Sequence, residues 1–180
     1  MKILETNLKG NFIIEPKMFK DERGYFFESF NKNKFKQITG IEINFIQDNE
    51  ALSNKGTLRG LHFQKGEYAQ AKLVRVVKGK VLDVVVDLRK DSDTYGEHFS
   101  IILSEENKKQ LFVPRGFAHG YAVLEDNTIF QYKCDNFYSP ENEAGIKYDD
   151  DDLNIDWKLK EEEIILSEKD TKLKPFILFS

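Results

Sequence analysis

Arg59, His62 and Lys72 lie within one short stretch, Gly56-Thr-Leu-Arg-Gly-Leu-His-Phe-Gln-Lys-Gly-Glu-Tyr-Ala-Gln-Ala-Lys72. An imidazole with a near-neutral pKa suits general-base work. A guanidinium fork suits an anion, and an ammonium suits an oxygen that gains negative charge. Together they fit chemistry on a negatively charged carbonyl compound. A lone histidine is more often one satisfied by backbone groups, and it is this company that raises the functional reading of His62. Downstream, His119 closes the turn Pro114-Arg-Gly-Phe-Ala-His119, and Tyr132 lies in Phe130-Gln-Tyr-Lys-Cys134. A buried tyrosine can deliver a proton, and beside a lysine its pKa is expected to fall toward a useful range. Asp83 and Asp170 are both candidates for the carboxylate that fixes the tautomer of a base histidine.

The elements that must hold these groups read as strands. Gly56 and Gly60 allow a sharp turn or a close backbone approach, and Lys72–Lys78 follows as a strand, projecting Arg59, His62 and Lys72 from neighbouring strands into one space. Residues 1–15 give one or two edge strands, and Tyr25–Phe30 another. A short helix is expected from Asn31 to Gly40, with Asn33 as cap and Gly40 as stop. Ile43–Leu52 is strand-like, with Gln47 and Asn49 on one face. Lys80–Leu88, Glu97–Leu103 and Lys109–Val113 follow. Residues 114–120 form a second tight turn, and Tyr121–Leu124 pairs with Asn127–Cys134 in a hairpin around Glu125-Asp126. From Tyr148 the chain becomes an irregular arm with short helical turns. Many short strands spaced by turn signals predict a mainly β fold, a sandwich or barrel, in one domain over residues 1–180 with 148–180 as the arm.

Composition narrows the function. Fifteen Phe and seven Tyr against two Met favour strands over helix bundles. A formal charge of −4 lacks the basic balance of a nucleic-acid binder. No run approaches the ~18 apolar residues of a membrane helix, and no signal peptide is expected. The one cysteine, Cys134, cannot form an internal disulfide, which fits a reducing, cytoplasmic setting.

The two glycine-bounded turns, each with a histidine, resemble the two motifs of the cupin barrel. Metal-binding cupins carry His-x-His and a Glu in the first and a further His in the second. Here the first reads His62-Phe-Gln64, which leaves two ligands of four, so no metal is expected. His98, in Gly96-Glu-His-Phe99, is read as a surface strand residue.

Taken in order, the motifs resemble the dTDP-4-dehydrorhamnose 3,5-epimerase family over nearly the whole chain. The resemblance rests on Phe19-Lys-Asp-Glu-Arg-Gly-Tyr-Phe-Phe-Glu28, Phe45-Ile-Gln-Asp-Asn49, Gly56-Thr-Leu-Arg-Gly-Leu-His-Phe-Gln64 and Lys72-Leu-Val74. It continues through Gly79–Arg89, Pro114–Gly120, Tyr132, Pro140-Glu-Asn-Glu-Ala-Gly145 and Leu166-Ser-Glu-Lys-Asp170. It implies a cofactor-free cupin-type β-barrel or jelly roll that works as a homodimer with an exchanged N-terminal strand. His62 matches the family's proton acceptor, Tyr132 its proton donor, Asp170 the carboxylate that orients the base, and Lys72 the residue at the sugar carbonyl. Arg23, Glu28, Gln47, Asn49, Arg59, His119, Glu143 and Lys169 match positions that bind the nucleotide sugar, and either subunit can supply Arg23 and Glu28. Phe19 and Tyr138 match aromatics near the nucleotide base. Many members have glycine before the lysine, where this chain has Gln70-Ala71-Lys72, and little effect on the chemistry is expected.

The implied reaction inverts C3 and C5 of dTDP-4-dehydro-6-deoxy-D-glucose. Both carbons adjoin the C4 carbonyl, so an enolate stabilises the loss of either proton. His62 takes the proton, Lys72 steadies the enolate and Tyr132 returns a proton on the opposite face. Three alternatives keep the same barrel: an epimerase that inverts one centre of a related sugar, a non-catalytic sugar-nucleotide-binding cupin, and a metal-dependent enzyme.

Overall fold

Alternating apolar residues build this molecule as two facing β-sheets wrapped by a C-terminal arm. A computed structural model describes residues 1–179 of the chain. In chain order the strands are β1 (Lys2–Glu5), β2 (Phe12–Glu15), β3 (Phe19–Asp21), β4 (Gly24–Phe26), β5 (Gln47–Ser53), β6 (Leu58–Gln64) and β7 (Lys72–Lys78). Then follow β8 (Lys80–Asp87), β9 (His98–Ser104), β10 (Gln110–Val113), β11 (Phe117–Val123), β12 (Thr128–Cys134) and β13 (Glu143–Gly145). The single α-helix among the described residues, α1, spans Lys32–Thr39. One sheet has the order β1-β2-β10-β7-β12-β5, the other β13-β6-β11-β8-β9, and β3-β4 stand apart as a hairpin. This is the cupin-type jelly roll.

Side chains that alternate inward from both sheets interlock as the core. Val74, Val76 and Phe130 from the first sheet meet Val81, Val85, Phe117 and Tyr121 from the second. The near-continuous apolar run of β8 has a physical reason, because both its faces are covered. Leu82, Val84 and Val86 point away from the barrel and lie under the arm, against Leu153 and Trp157. The arm is irregular, with short 3₁₀ turns at Glu161–Glu163, Asp170–Lys172 and Phe176–Phe179. The helix α1 buries Phe35 against Leu73 and Phe112 on the outside of the six-stranded sheet. No helix among the described residues is long and apolar enough to cross a membrane.

Several sequence expectations need correcting. The expected hairpin of 121–124 with 127–134 does not form: β11 and β12 belong to different sheets, and the turn between them crosses the barrel. Likewise β6 and β7 are in facing sheets, so His62 and Lys72 approach from opposite walls rather than from neighbouring strands. The second glycine turn ends at Gly116, and His119 is on β11. The helix cap is Asn31, whose side chain accepts from Lys34 N–H at 3.1 Å, rather than Asn33; Gly40 does end the helix, in a left-handed conformation. The strand expected at 25–30 stops at Phe26, and that expected at 43–52 begins at Gln47, because Ile43 and Phe45 pack beneath α1 instead. Of the two strands in residues 1–15, β1 is an edge strand as expected, while β2 pairs with both β1 and β10. His98 does lie on an edge strand, β9, but it is half-buried, and its Nδ1 is buried without a hydrogen-bond partner.

Candidate active site

Between the sheets lies a cavity of about 540 Å³ that gathers most of the chemically able residues of the chain. On β5, Gln47, Asn49 and Ala51 are half-buried while Asp48, Glu50 and Leu52 are exposed, the two-residue period of a strand with one face toward an enclosed space. The same period turns Tyr132 and Cys134 of β12 inward, beside Lys72 of β7. The facing wall brings Arg59 and His62 from β6, His119 and Tyr121 from β11 and Glu143 from β13.

Two glycines allow β6 and β11 to come this close. A Cβ on Gly60, whose φ is +117°, would stand 2.6 Å from the Gly120 Cα and 2.7 Å from the His119 carbonyl oxygen. A Cβ on Gly120 would meet the Arg59 carbonyl oxygen at 2.8 Å. His62 and His119 become register partners as a result.

His62 Nε2 lies 2.5 Å from Asp170 Oδ1. Asp170 is far away in sequence, and two backbone bridges of the arm carry it there. Ile165 bridges Thr57 on one side, where Leu58 N–H donates to the Ile165 carbonyl at 3.0 Å, and Lys174 bridges Ile146 on the other. The remaining carboxylate oxygen, Oδ2, accepts the Ser167 hydroxyl at 2.7 Å. Burial pushes the Asp170 carboxyl up, but the hydrogen bonds from His62 and Ser167 outweigh it and hold the group below its ordinary value. An ionised Asp170 accepts a hydrogen bond from Nε2–H, which leaves the lone pair of His62 on Nδ1.

Across the cavity the Lys72 ammonium stands 6.0 Å from the centre of the Tyr132 ring. Burial lowers the pKa of Lys72, with Cys134, Asp83 and Glu143 opposing it. Burial also raises the pKa of Tyr132, contrary to the fall expected beside a lysine, and only Arg59 pulls the other way. The phenol therefore keeps its proton at neutral pH, the form a proton donor needs.

His119 is paired with Asp83, 3.0 Å from Nε2 to each carboxylate oxygen, and both residues are buried. Asp83 is raised by burial, against the pull of His119 and Lys72. Each histidine thus has its own carboxylate, and Asp170 rather than Asp83 is the partner of His62. At the rim, Tyr138 donates to Glu143 at 2.6 Å, and Lys169 forms an ion pair with the same carboxylate. Arg59 is steadied by the Ser53 hydroxyl at 3.3 Å, and Gln47 donates to Asn49 at 3.1 Å.

Of the residues singled out in the sequence, Phe19, Arg23 and Glu28 stay outside this cavity. Phe19 and Arg23 are on the exposed β3–β4 hairpin, where Arg23 is ion-paired to Asp21, and Glu28 pairs with Lys34 of α1. Cys134, Gln70 and Ser167 line the cavity and went unassigned. Cys134 could have been found by stepping two residues along the strand from Tyr132. Its thiol, pushed up to about 11 by burial, accepts from Asn49 at 3.8 Å.

Residues 5–177 match the family model described as dTDP-4-dehydrorhamnose 3,5-epimerase. A relative of that description from Methanothermobacter thermautotrophicus is 51% identical over 175 residues, covering 97% of this chain and 94% of the relative. The crystal structure of dTDP-4-dehydrorhamnose 3,5-epimerase from Elizabethkingia anophelis superposes with a TM-score of 0.95 at 54% identity, over 98% of this chain and 97% of that one. The Legionella pneumophila enzyme, crystallised in complex with dTDP-4-keto-L-rhamnose, gives a TM-score of 0.95 at 46% identity, over 99% of this chain and 94% of that one.

Proposed function

The chain belongs to the dTDP-4-dehydrorhamnose 3,5-epimerase family, and on that premise we propose that it converts dTDP-4-dehydro-6-deoxy-D-glucose to dTDP-4-dehydro-L-rhamnose. The observation that carries this reading is the division of labour across the cavity: a carboxylate-bound histidine on one sheet, a protonated tyrosine and a half-buried lysine on the other.

His62, neutral and oriented by Asp170, takes the proton from C3 or C5 on its side of the sugar. The electron pair of the C–H bond moves into an enolate whose charge rests on O4, next to the Lys72 ammonium. Tyr132 gives its phenolic proton to the same carbon from the other face, which inverts the centre. The phenolate and the imidazolium then exchange their protons with solvent. The second centre follows by the same steps. Arg59 meets the diphosphate as a planar fork. Gln47, Asn49, His119, Glu143, Lys169 and Tyr138 bind the remainder of the nucleotide sugar.

The working unit is read as a homodimer. Phe19, Tyr25 and Phe26 on the hairpin are 53%, 55% and 69% exposed in the single chain, a cost that a second copy would relieve. The partner's hairpin would bring its Phe19 and Arg23 to the cavity, with Glu28 behind them. In the single chain β1 pairs with its own β2, so the hairpin rather than β1 is the element we assign to exchange. Residues 1–180 act as one domain, with 148–180 as the arm that supplies Asp170 and Lys169. A cytoplasmic location accords with a water-soluble nucleotide-sugar substrate and a free Cys134.

The test is the configuration of the product. Proton NMR coupling constants of the sugar formed from dTDP-4-dehydro-6-deoxy-D-glucose should report inversion at both C3 and C5. Inversion at one carbon only would replace the proposal with a single-centre epimerase, and an unchanged sugar would sink it.

A further inference from the structure

We propose that Ser167 is a positioning residue for the base His62, acting through Asp170; the inference rests on the reading of His62 as the base. The two carboxylate oxygens of Asp170 are taken by two different donors. Oδ1 lies 2.5 Å from His62 Nε2, and Oδ2 accepts the Ser167 hydroxyl at 2.7 Å. Holding both oxygens fixes the rotation of the carboxylate, and with it the plane of the imidazole.

The serine does this because of its spacing. In Ser167-Glu-Lys-Asp170 the hydroxyl oxygen accepts the Asp170 backbone N–H at 3.1 Å, as the serine of a capping box would, although the 3₁₀ turn itself begins at Asp170 after Lys169. In the usual box the acidic side chain turns back to the backbone N–H of the serine. Here it turns to His62 and to the serine hydroxyl instead. Accepting that backbone N–H needs only a lone pair of Ser167 Oγ, so its proton remains for Asp170. Asp170 is buried, at 5% exposure, so an oxygen that lost this donor would be poorly served by water. The segment is tied to the barrel on both sides by Ile165 and Lys174 and cannot shift to compensate.

Three variants and two readouts test the role. Ser167→Ala should lower kcat roughly tenfold, the worth of one hydrogen bond to a charged group, and leave KM within about twofold. Ser167→Thr, which keeps the hydroxyl, should restore most of the loss. In an Asp170→Asn background, Ser167→Ala should cost nothing further, because a residue that acts through Asp170 has nothing left to orient. Independently of turnover, NMR of isotope-labelled histidine should find the His62 Nε2 proton far downfield in the wild type and Ser167→Thr, moved upfield or broadened in Ser167→Ala, and lost in Asp170→Asn. An unmoved resonance in Ser167→Ala overturns the proposal, and so does an equal loss of kcat in both backgrounds. If the resonances behave as expected while the nucleotide sugar is not turned over, it is the proposed function that fails, and the role of Ser167 in holding the dyad stands.

Discussion

His62 and His119 face each other in the register of β6 and β11, yet each turns Nε2 to a different carboxylate, His62 to Asp170 at 2.5 Å and His119 to Asp83 at 3.0 Å. The burial differs as much as the partner. The His62 side chain is 26% exposed, whereas His119 and Asp83 are 7% and 0% exposed. The two histidines should therefore fail in different ways. His62→Ala should keep the fold and lose about 10²–10⁴ of the rate, the range of a general base. His119→Ala leaves the Asp83 carboxylate buried without its main partner and should destabilise the protein by about 3 kcal/mol. Thermal melts of the two variants alongside their rates check this contrast.

Tyr132 and His62 act on opposite faces of the sugar in this account. Tyr132→Phe should then abolish inversion while His62 continues to remove and return a proton on its own face. The expected outcome is solvent deuterium in unreacted substrate, without the epimerised product. Loss of exchange together with inversion would show that the tyrosine is needed for proton removal as well.

Lys72 sets the alkaline side of the pH profile. Burial lowers its pKa from the ordinary lysine value and raises that of Tyr132. The two shifts move the loss of the ammonium proton to lower pH and the loss of the phenol proton to higher pH. kcat should fall along an alkaline limb centred below 10.5, the ordinary lysine value. Lys72→Arg should move that limb to higher pH, because a guanidinium stays charged, whereas a limb unmoved by the substitution would belong to another group.

Asp87 gives a stability prediction away from the site. Its carboxylate accepts from Arg89, Ser92 and Thr94, which outweigh burial and hold its pKa at about 2 against 3.8. A depressed folded-state pKa contributes stability above the unfolded value, which is lost as pH falls through the folded one. A shift of this size is worth about 2 kcal/mol at neutral pH. Asp87→Asn should be less stable by that amount at pH 7, and the gap should close between about pH 4 and 2. A gap that persists at pH 2 would place its origin in packing.

The chemistry was more legible in the sequence than the topology. His62, Lys72, Tyr132 and Asp170 stand in motifs whose residue types announce their use, and all four reach one cavity. The partners of the strands were harder to read. Glu125-Asp126 marks a turn, but the same turn can fold two strands into one sheet or pass a chain from one sheet to the other. The choice is made by distant partners, β8 and β6 for β11 and β7 and β5 for β12. The direction of the Tyr132 shift was missed for a related reason: an adjacent lysine is visible in the sequence, but the depth of a phenol in a barrel is not. Phe19, Arg23 and Glu28 could be matched by motif, yet a single chain does not bring them to the cavity.

Deuterium uptake tests the central claim most directly. The nucleotide sugar dTDP-4-dehydro-6-deoxy-D-glucose is incubated with the protein in deuterated water and followed by proton NMR, beside His62→Ala and Asp170→Asn. The account predicts deuterium at both C3 and C5 with the wild type, none with His62→Ala and a greatly slowed uptake with Asp170→Asn. Undiminished exchange in His62→Ala would contradict it, since the proton would then be leaving to some group other than the histidine held by Asp170.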